Sequence, residues 1–225
     1  FDLNSSQDRL IRLLENVGMV FLFSPNFHPS IKRISIVRRA IGIRTVLNIV
    51  GPLCNPCINL RGQLIGVSKP TLLQQVSNLM KNSTLERFMV VYSEDGFDEL
   101  TNTCPNRVVY FNQGELSSFT IHPKDFDLTL ADKDSLTVTS KEECVRITLE
   151  SICGHASKQI EDSVVLNSAA ALLVGNRVDS LSEGIELARN QIANGNAHGI
   201  LHDMIKCCGD EATLQKLESN LLKSP

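Results

Sequence analysis

The sequence has no tryptophan and only two tyrosines, and its composition is otherwise that of an ordinary globular protein, so composition alone names no function. It has no excess of basic charge. The formal net charge of -3 gives no support for a general nucleic-acid binder, whose domain would be basic overall. It has no apolar run of about 18 residues that would span a membrane. Its N-terminus shows no basic region followed by a signal-like apolar core. The seven cysteines, at 54, 57, 104, 144, 153, 207 and 208, are odd in number and form no disulfide framework, which reads as reduced thiols in a cytosol-like compartment. Neither a Walker loop nor GxGxxG nor Gly-x-Ser-x-Gly occurs. The first residue is Phe1 rather than methionine, which suggests a processed or excised piece. At 225 residues the chain has room for one large domain, or a domain with a sub-domain.

Another absence is local. Between Glu15 and Glu86 there is no aspartate or glutamate, while Lys32, Arg33, Arg38, Arg39, Arg44, Arg61, Lys69 and Lys81 all fall there. The basic stretch favours anions, and Arg38 and Arg39 have the planar fork that suits a carboxylate or phosphate. A solvated or internally paired face is the alternative. The segment Glu94 to Glu99, "EDGFDE", then gathers acids directly after a strand-like run. Carboxylates at the C-terminal end of a parallel strand lie where open α/β sheets bind ligands. An adjacent pair there suits Mg2+, a hard ion that prefers oxygen. A solvated acidic turn remains the alternative.

The periodicities give the frame. Residues 5 to 18 read as an amphipathic helix with a Ser N-cap and Gly18 as its stop. Residues 29 to 42 read as a second helix, followed by a short helix ending at Gly51-Pro52. A strand at 63 to 68, a helix at 70 to 82 and a strand at 87 to 93 predict a βαβ unit. Residues 106 to 121 predict a hairpin turning at Gln113-Gly114. An acidic, turn-rich connection follows at 123 to 138, and beyond it the chain is helical, including 161 to 176 and 181 to 195. The run Ser168 to Ala171 lacks bulk and would let its helix approach a neighbour closely. The expected fold class is α/β, with a mixed, mostly parallel sheet flanked by helices.

Other candidates carry less. Cys54 and Cys57 form one CxxC, but no second pair follows at zinc-like spacing. His28 precedes a proline at a helix start and is a site candidate, with a structural role as the alternative. His198 and His202 are four residues apart in what reads as a frayed helix, with no partner evident in the spacing.

Taken together, "FLFSPNFHPSIK", "VRRAIGIRTVLNIVGPLCNP", "GVS", "DGFDEL" and "VVLNSAAALLVGN" resemble anthranilate phosphoribosyltransferase, an enzyme family of tryptophan biosynthesis that shares its fold with pyrimidine nucleoside phosphorylases. The resemblance runs essentially from end to end. It implies transfer of a phosphoribosyl group from phosphoribosyl pyrophosphate to anthranilate with release of pyrophosphate. By the same resemblance Arg38 binds the anthranilate carboxylate, Pro52 lines the acceptor site and His28 lies beside its channel. Arg44 and Asn48 support that channel, and Asp98 and Glu99 hold Mg2+ against the pyrophosphate. Leu47 stands where phenylalanine is usual.

The family's glycine-rich GTGGD loop, its N-x-S-T segment and its KHGN segment do not occur in this sequence. The chain therefore looks like the C-terminal portion of such an enzyme, nearly inactive alone. Residues 1–27 and 56–225 would form the α/β domain, and residues 28–55 a helical hinge carrying the acceptor site, with a few helices belonging to a truncated helical sub-domain. A cytoplasmic location is expected, or a plastid in a plant or alga, with a homodimer for the full-length parent and no membrane partner. The alternatives are a nucleoside phosphorylase-like enzyme and a non-catalytic relative that binds nucleic acid, the latter opposed by the net charge.

Overall fold

The computed structural model describes residues 1–28, 51 and 53–221. Helix α1 (Gln7–Val17) ends where Gly18 takes a left-handed conformation at φ 82° and donates to the Leu14 carbonyl. Ser6 occupies its N-cap position, but the hydroxyl makes no capping bond. A single helical turn, α2 (Ser24–Phe27), follows. The expected helix at 29 to 42 and nearly all of the short helix before Gly51-Pro52 lie outside the described residues.

The α/β core begins with β1 (Gly62–Gly66), α3 (Pro70–Met80) and β2 (Arg87–Ser93). Strands β1 and β2 pair in parallel, with Gly62 opposite Arg87 and Gly66 opposite Val91, so the expected βαβ unit is present. Strands β3 (Asn106–Asn112) and β4 (Glu115–Ile121) form the hairpin at Gln113-Gly114, and the sheet order is β1-β2-β3-β4. The sheet is mixed and flanked by helices, as expected. Parallel pairing does not predominate among the described strands, because both β2–β3 and β3–β4 are antiparallel. Helix α3 carries the chain back across the sheet between β1 and β2, whereas the two-residue turn at Gln113-Gly114 can only return β4 antiparallel. The helix-free loop 94–105 folds back at the same end of the sheet and returns β3 antiparallel as well.

Two 3-10 turns (Pro123–Phe126 and Lys133–Leu136) lead into α4 (Lys141–Ile152), α5 (Lys158–Val174), α6 (Leu181–Ala193), α7 (Asn196–Cys208) and α8 (Glu211–Leu221). Capping locates several starts. Ser140 Oγ accepts from Glu143 N at 3.0 Å and Ser180 Oγ from Glu183 N at 3.2 Å, while each glutamate reaches back to a backbone N–H just before the helix.

Strand β2 is buried on both faces. Met89 and Val91 face α5 and α6, where Val165, Leu166, Ala169, Ala170 and Ile185 complete one core. Phe88, Val90 and Tyr92 face α3 with Val76 and Met80. Each fully buried side chain of this size contributes roughly 1.5–3 kcal/mol. The Phe88 ring stacks on Phe111 with centroids 4.9 Å apart. Helices α5 and α6 meet closely, as the small residues foretold: a Cβ on Gly184 would lie 2.8 Å from Ala169 Cα. Strand β1 is equally tight against α5, since a Cβ on Gly62 would lie 2.5 Å from the Val174 carbonyl oxygen. Smaller clusters join α1 to α7 through Leu13 and Met204, and α4 to α7 and α8 through Leu149, Ile205 and Leu214. Among the described residues no helix is long and apolar enough to cross a membrane.

Candidate functional site

The parallel strands β1 and β2 end side by side, and the acidic segment 94 to 99 leaves from the end of β2. Gly96 turns the chain at φ 92°, with its N–H on the Ser93 carbonyl at 2.8 Å. Two of the acids are committed to the turn. Glu94 pairs with Arg107, and Asp95 accepts from Thr103 Oγ1. Burial opposes ionisation of Asp95, yet the hydrogen bonds from Thr103, Ser93 and Phe97 and the charge of Lys133 hold its carboxyl below the usual carboxylate range. Lys133 also donates to the Asp95 carbonyl at 2.6 Å and lies over the Phe97 ring.

Asp98 and Glu99 differ from their neighbours. Among the described residues neither carboxylate has a hydrogen bond or ion pair, and both are exposed at the surface. Glu99 is nevertheless crowded by surrounding protein. Its carboxyl is pushed above the ordinary value, first by loss of water and then by the adjacent Asp98 charge. Two like charges without a counter-charge form a site that a cation would relieve, and their oxygen donors suit Mg2+.

The backbone under this pair is fixed from two sides. On the β1 side, a Cβ on Gly66 would lie 1.4 Å from the Asp98 carbonyl oxygen, so the acidic turn rests directly on the end of β1. This contact explains the glycine in "GVS". On the α5 side, Asn167 accepts from Leu100 N at 3.0 Å and donates to Leu100 O at 2.6 Å. The side-chain amide thus substitutes for a neighbouring strand. Below the turn, Asn106 bonds Thr101 in both directions at 2.8 Å, and Ser93 Oγ meets Thr101 Oγ1 at 2.6 Å.

Asn167, Asn106 and Gly66 were not singled out by sequence reasoning, although Asn167 and Gly66 lie within quoted motifs. The available signal was an asparagine within the apolar stretch "VVLNSAAALLV", where such a residue is unfavourable unless its amide is used. Replacing Asn167 with alanine strands two backbone groups of a fully buried residue. We expect it to lower stability by about 2 kcal/mol in urea unfolding, with unfilled backbone groups costing roughly 1–3 kcal/mol each.

The structure brings Asp98 and Glu99 together at the strand ends. His28 is the C-cap of α2, where its N–H donates to the Ser24 carbonyl at 3.0 Å. Arg38, Arg44, Asn48 and Pro52 lie outside the described residues.

A mixed four-stranded sheet with helices on both faces makes this an α/β domain. Residues 1–198 match the glycosyl transferase family, a/b domain, and the chain belongs to that family. Its relatives carry a more particular name. The chain is 35% identical over 204 residues to the anthranilate phosphoribosyltransferase of Nitrosomonas eutropha, a match covering 91% of this chain and 59% of the relative. It is 38% identical over 193 residues to that of Acetivibrio thermocellus, covering 86% and 55%. It thus spans less than two thirds of the length of the curated relatives it matches. Among solved structures, anthranilate phosphoribosyltransferase from Thermus thermophilus superposes with a TM-score of 0.83 at 30% identity, over 92% of this chain and 61% of that one. The Saccharomyces cerevisiae enzyme in complex with PRPP and Mg shares the fold with a TM-score of 0.82 at 23% identity, over 92% and 59%.

Proposed function

We propose that this chain is the metal-binding and acceptor-binding portion of an anthranilate phosphoribosyltransferase. The reaction transfers the phosphoribosyl group of phosphoribosyl pyrophosphate to the amine of anthranilate and releases pyrophosphate, in tryptophan biosynthesis. The observation that carries the reading is the uncompensated Asp98–Glu99 pair, with its raised Glu99, at the ends of the parallel strands. The names of the relatives and the complexes formed by the yeast enzyme point the same way.

Asp98 and Glu99 would hold Mg2+, which when bound neutralises charge on the departing pyrophosphate. The chain's own work is positioning. Gly66 and Asn167 fix the height of the acidic turn, and with it the backbone from which the two carboxylates project. Arg38 would hold the anthranilate carboxylate, with Pro52 and His28 beside the acceptor and Arg44 and Asn48 supporting its channel, all within a helical hinge at 28–55. An aromatic amine is already a nucleophile, so orientation matters more than a strong base. The sequence contains no GTGGD loop of backbone donors for the phosphates, and we expect residues 1–225 alone to turn over by powers of ten more slowly than an enzyme that has one.

The test is Mg2+-dependent binding of phosphoribosyl pyrophosphate, measured by calorimetry. Asp98→Asn and Glu99→Gln are each expected to weaken it about tenfold or more, because a charged hydrogen-bonding partner contributes roughly 1.5–3 kcal/mol. The Mg2+ affinity should also fall as the solution is acidified through the raised pKa of Glu99, since a proton then competes for the same oxygens. Variants that bind as tightly as the native chain would sink the reading.

A further inference from the structure

The C-terminal helices carry a second cluster that the acidic turn does not use. His198 and His202 stand one turn apart on α7, so their rings leave the same face of the helix. Both converge on one atom of α8: His198 Nε2 lies 2.7 Å and His202 Nε2 2.8 Å from Glu218 Oε1. The two Nε2 atoms are themselves 3.2 Å apart, with the rings edge to face. These side chains are 36%, 42% and 20% exposed, respectively, and His198 and Glu218 border a hollow also lined by Cys153 and His155, so a small solute has access. His202 and Glu218 lie beyond the residues that match the family.

We propose that His198, His202 and Glu218 form a site for one borderline divalent transition cation, of the Zn2+ class, that ties α7 to α8. The donor set is two imidazoles and a carboxylate, the combination found in open zinc sites with a fourth position left for water. Imidazole selects such ions over Mg2+ or Ca2+, which separates this site chemically from the all-oxygen pair at Asp98 and Glu99. Geometry supports the assignment. Ligand bonds of about 2.0–2.1 Å in a tetrahedron put donor atoms roughly 3.3 Å apart, and the two nitrogens already stand at 3.2 Å. The glutamate has to withdraw by about half an ångström to reach the same spacing, within the rotamer freedom of a partly exposed side chain. The ion would take the place of the direct contacts between the two rings and the carboxylate.

The experiment uses the full 225-residue chain, stripped of metal and titrated with Co2+ and then Zn2+. The expected result is one equivalent of Co2+ with the intense visible absorption of a four- or five-coordinate ion, displaced by Zn2+. His202→Gln and Glu218→Gln should each weaken Zn2+ binding by about 100-fold or more, since even an outer partner of a metal ligand is worth about 10–100-fold. The Cys54→Ser/Cys57→Ser variant, altered at exposed thiols, should bind as the native chain does. As a measurement on the unaltered chain, Zn2+ should shift the imidazole nitrogen resonances of both His198 and His202. Absence of a bound equivalent, retention of affinity in the folded His202→Gln and Glu218→Gln variants, or unmoved imidazole resonances would overturn the proposal.

Discussion

Substituting alanine for Gly66 is expected to destabilise the protein by about 3 kcal/mol or more and to abolish its Mg2+ response, because the new methyl carbon has nowhere to go. It would stand 1.4 Å from the carbonyl oxygen of Asp98. Both atoms belong to the backbone framework, so no side-chain rotation relieves the clash. Inserting even one methyl group into a packed interior costs roughly 1–3 kcal/mol, occasionally more. Either β1 or the acidic turn must move, and a moved turn carries Asp98 and Glu99 away from the strand ends. At roughly 2–4 °C per kcal/mol for a chain of this size, the midpoint should fall by about 6–12 °C. Thermal unfolding with and without Mg2+ separates the two effects. An alanine variant with native midpoint and native Mg2+ stabilisation would show that the contact does not position the site.

The second large effect is expected at Asp162, whose side chain is fully buried near the start of α5. Its carboxylate accepts from Thr129 N at 2.7 Å, lies 3.0 Å from Lys158 Nζ and pairs with Arg189 of α6. This one group therefore joins the 123–138 connection, α5 and α6. Removing Asp162 leaves the Thr129 N–H without its acceptor and takes from Lys158 and Arg189 one of the two carboxylates each contacts, Glu161 being the other, so Asp162→Ala should lose about 2–3 kcal/mol in urea unfolding. The pH dependence has a definite sign. Burial opposes ionisation, but the Thr129 N–H, Lys158 and Arg189 outweigh it and hold the folded carboxyl below its ordinary value of 3.8. The folded state then binds fewer protons than the unfolded one. The stabilisation is complete well above pH 3.8 and is lost as pH falls below it through the lower folded value. Asp162→Asn should accordingly be less stable than the native chain near neutrality and approach it at acid pH. A stability gap that is constant with pH would refute the ionised assignment.

Local patterns made part of this architecture legible. The apolar run of β2, the helix-sized interval after β1 and Gln113-Gly114 between two alternating runs each specify their element without distant partners. The lack of bulk at Ser168 to Ala171 correctly announced the close approach of α6 at Gly184. The direction of pairing was harder, because the loop 94–105 after β2 is long enough either to cross the sheet or to fold back, and its sequence does not say which.

The site shows the same division. The acidic pair was visible because its members are adjacent and follow a strand. The contact between Gly66 and Asp98 joins residues 32 positions apart, and nothing local marks it. The same holds for Asn167 and Leu100, 67 positions apart. The frayed helix expected around His198 and His202 is a regular one, α7, held by packing against α1 and α8 that no local pattern announces. The histidines it carries had no evident partner for a related reason: Glu218 lies 16 and 20 positions further on, on another helix.

Strand β1 meets backbone at both ends, Val174 at Gly62 and Asp98 at Gly66. These two glycines act as a steric gauge during assembly. A strand mispaired by one residue toward either end would bring Gln63, Ile65 or Val67 to a place where no Cβ fits, so out-of-step partners are rejected by collision rather than by weaker attraction. Side-chain alternation alone would still permit a shift of two residues, which preserves the faces of the strand. The paired glycines, four residues apart, forbid that shift as well, because it would bring Leu64 to one of those ends. The fold therefore proofreads the alignment of the strand on which its acidic turn rests.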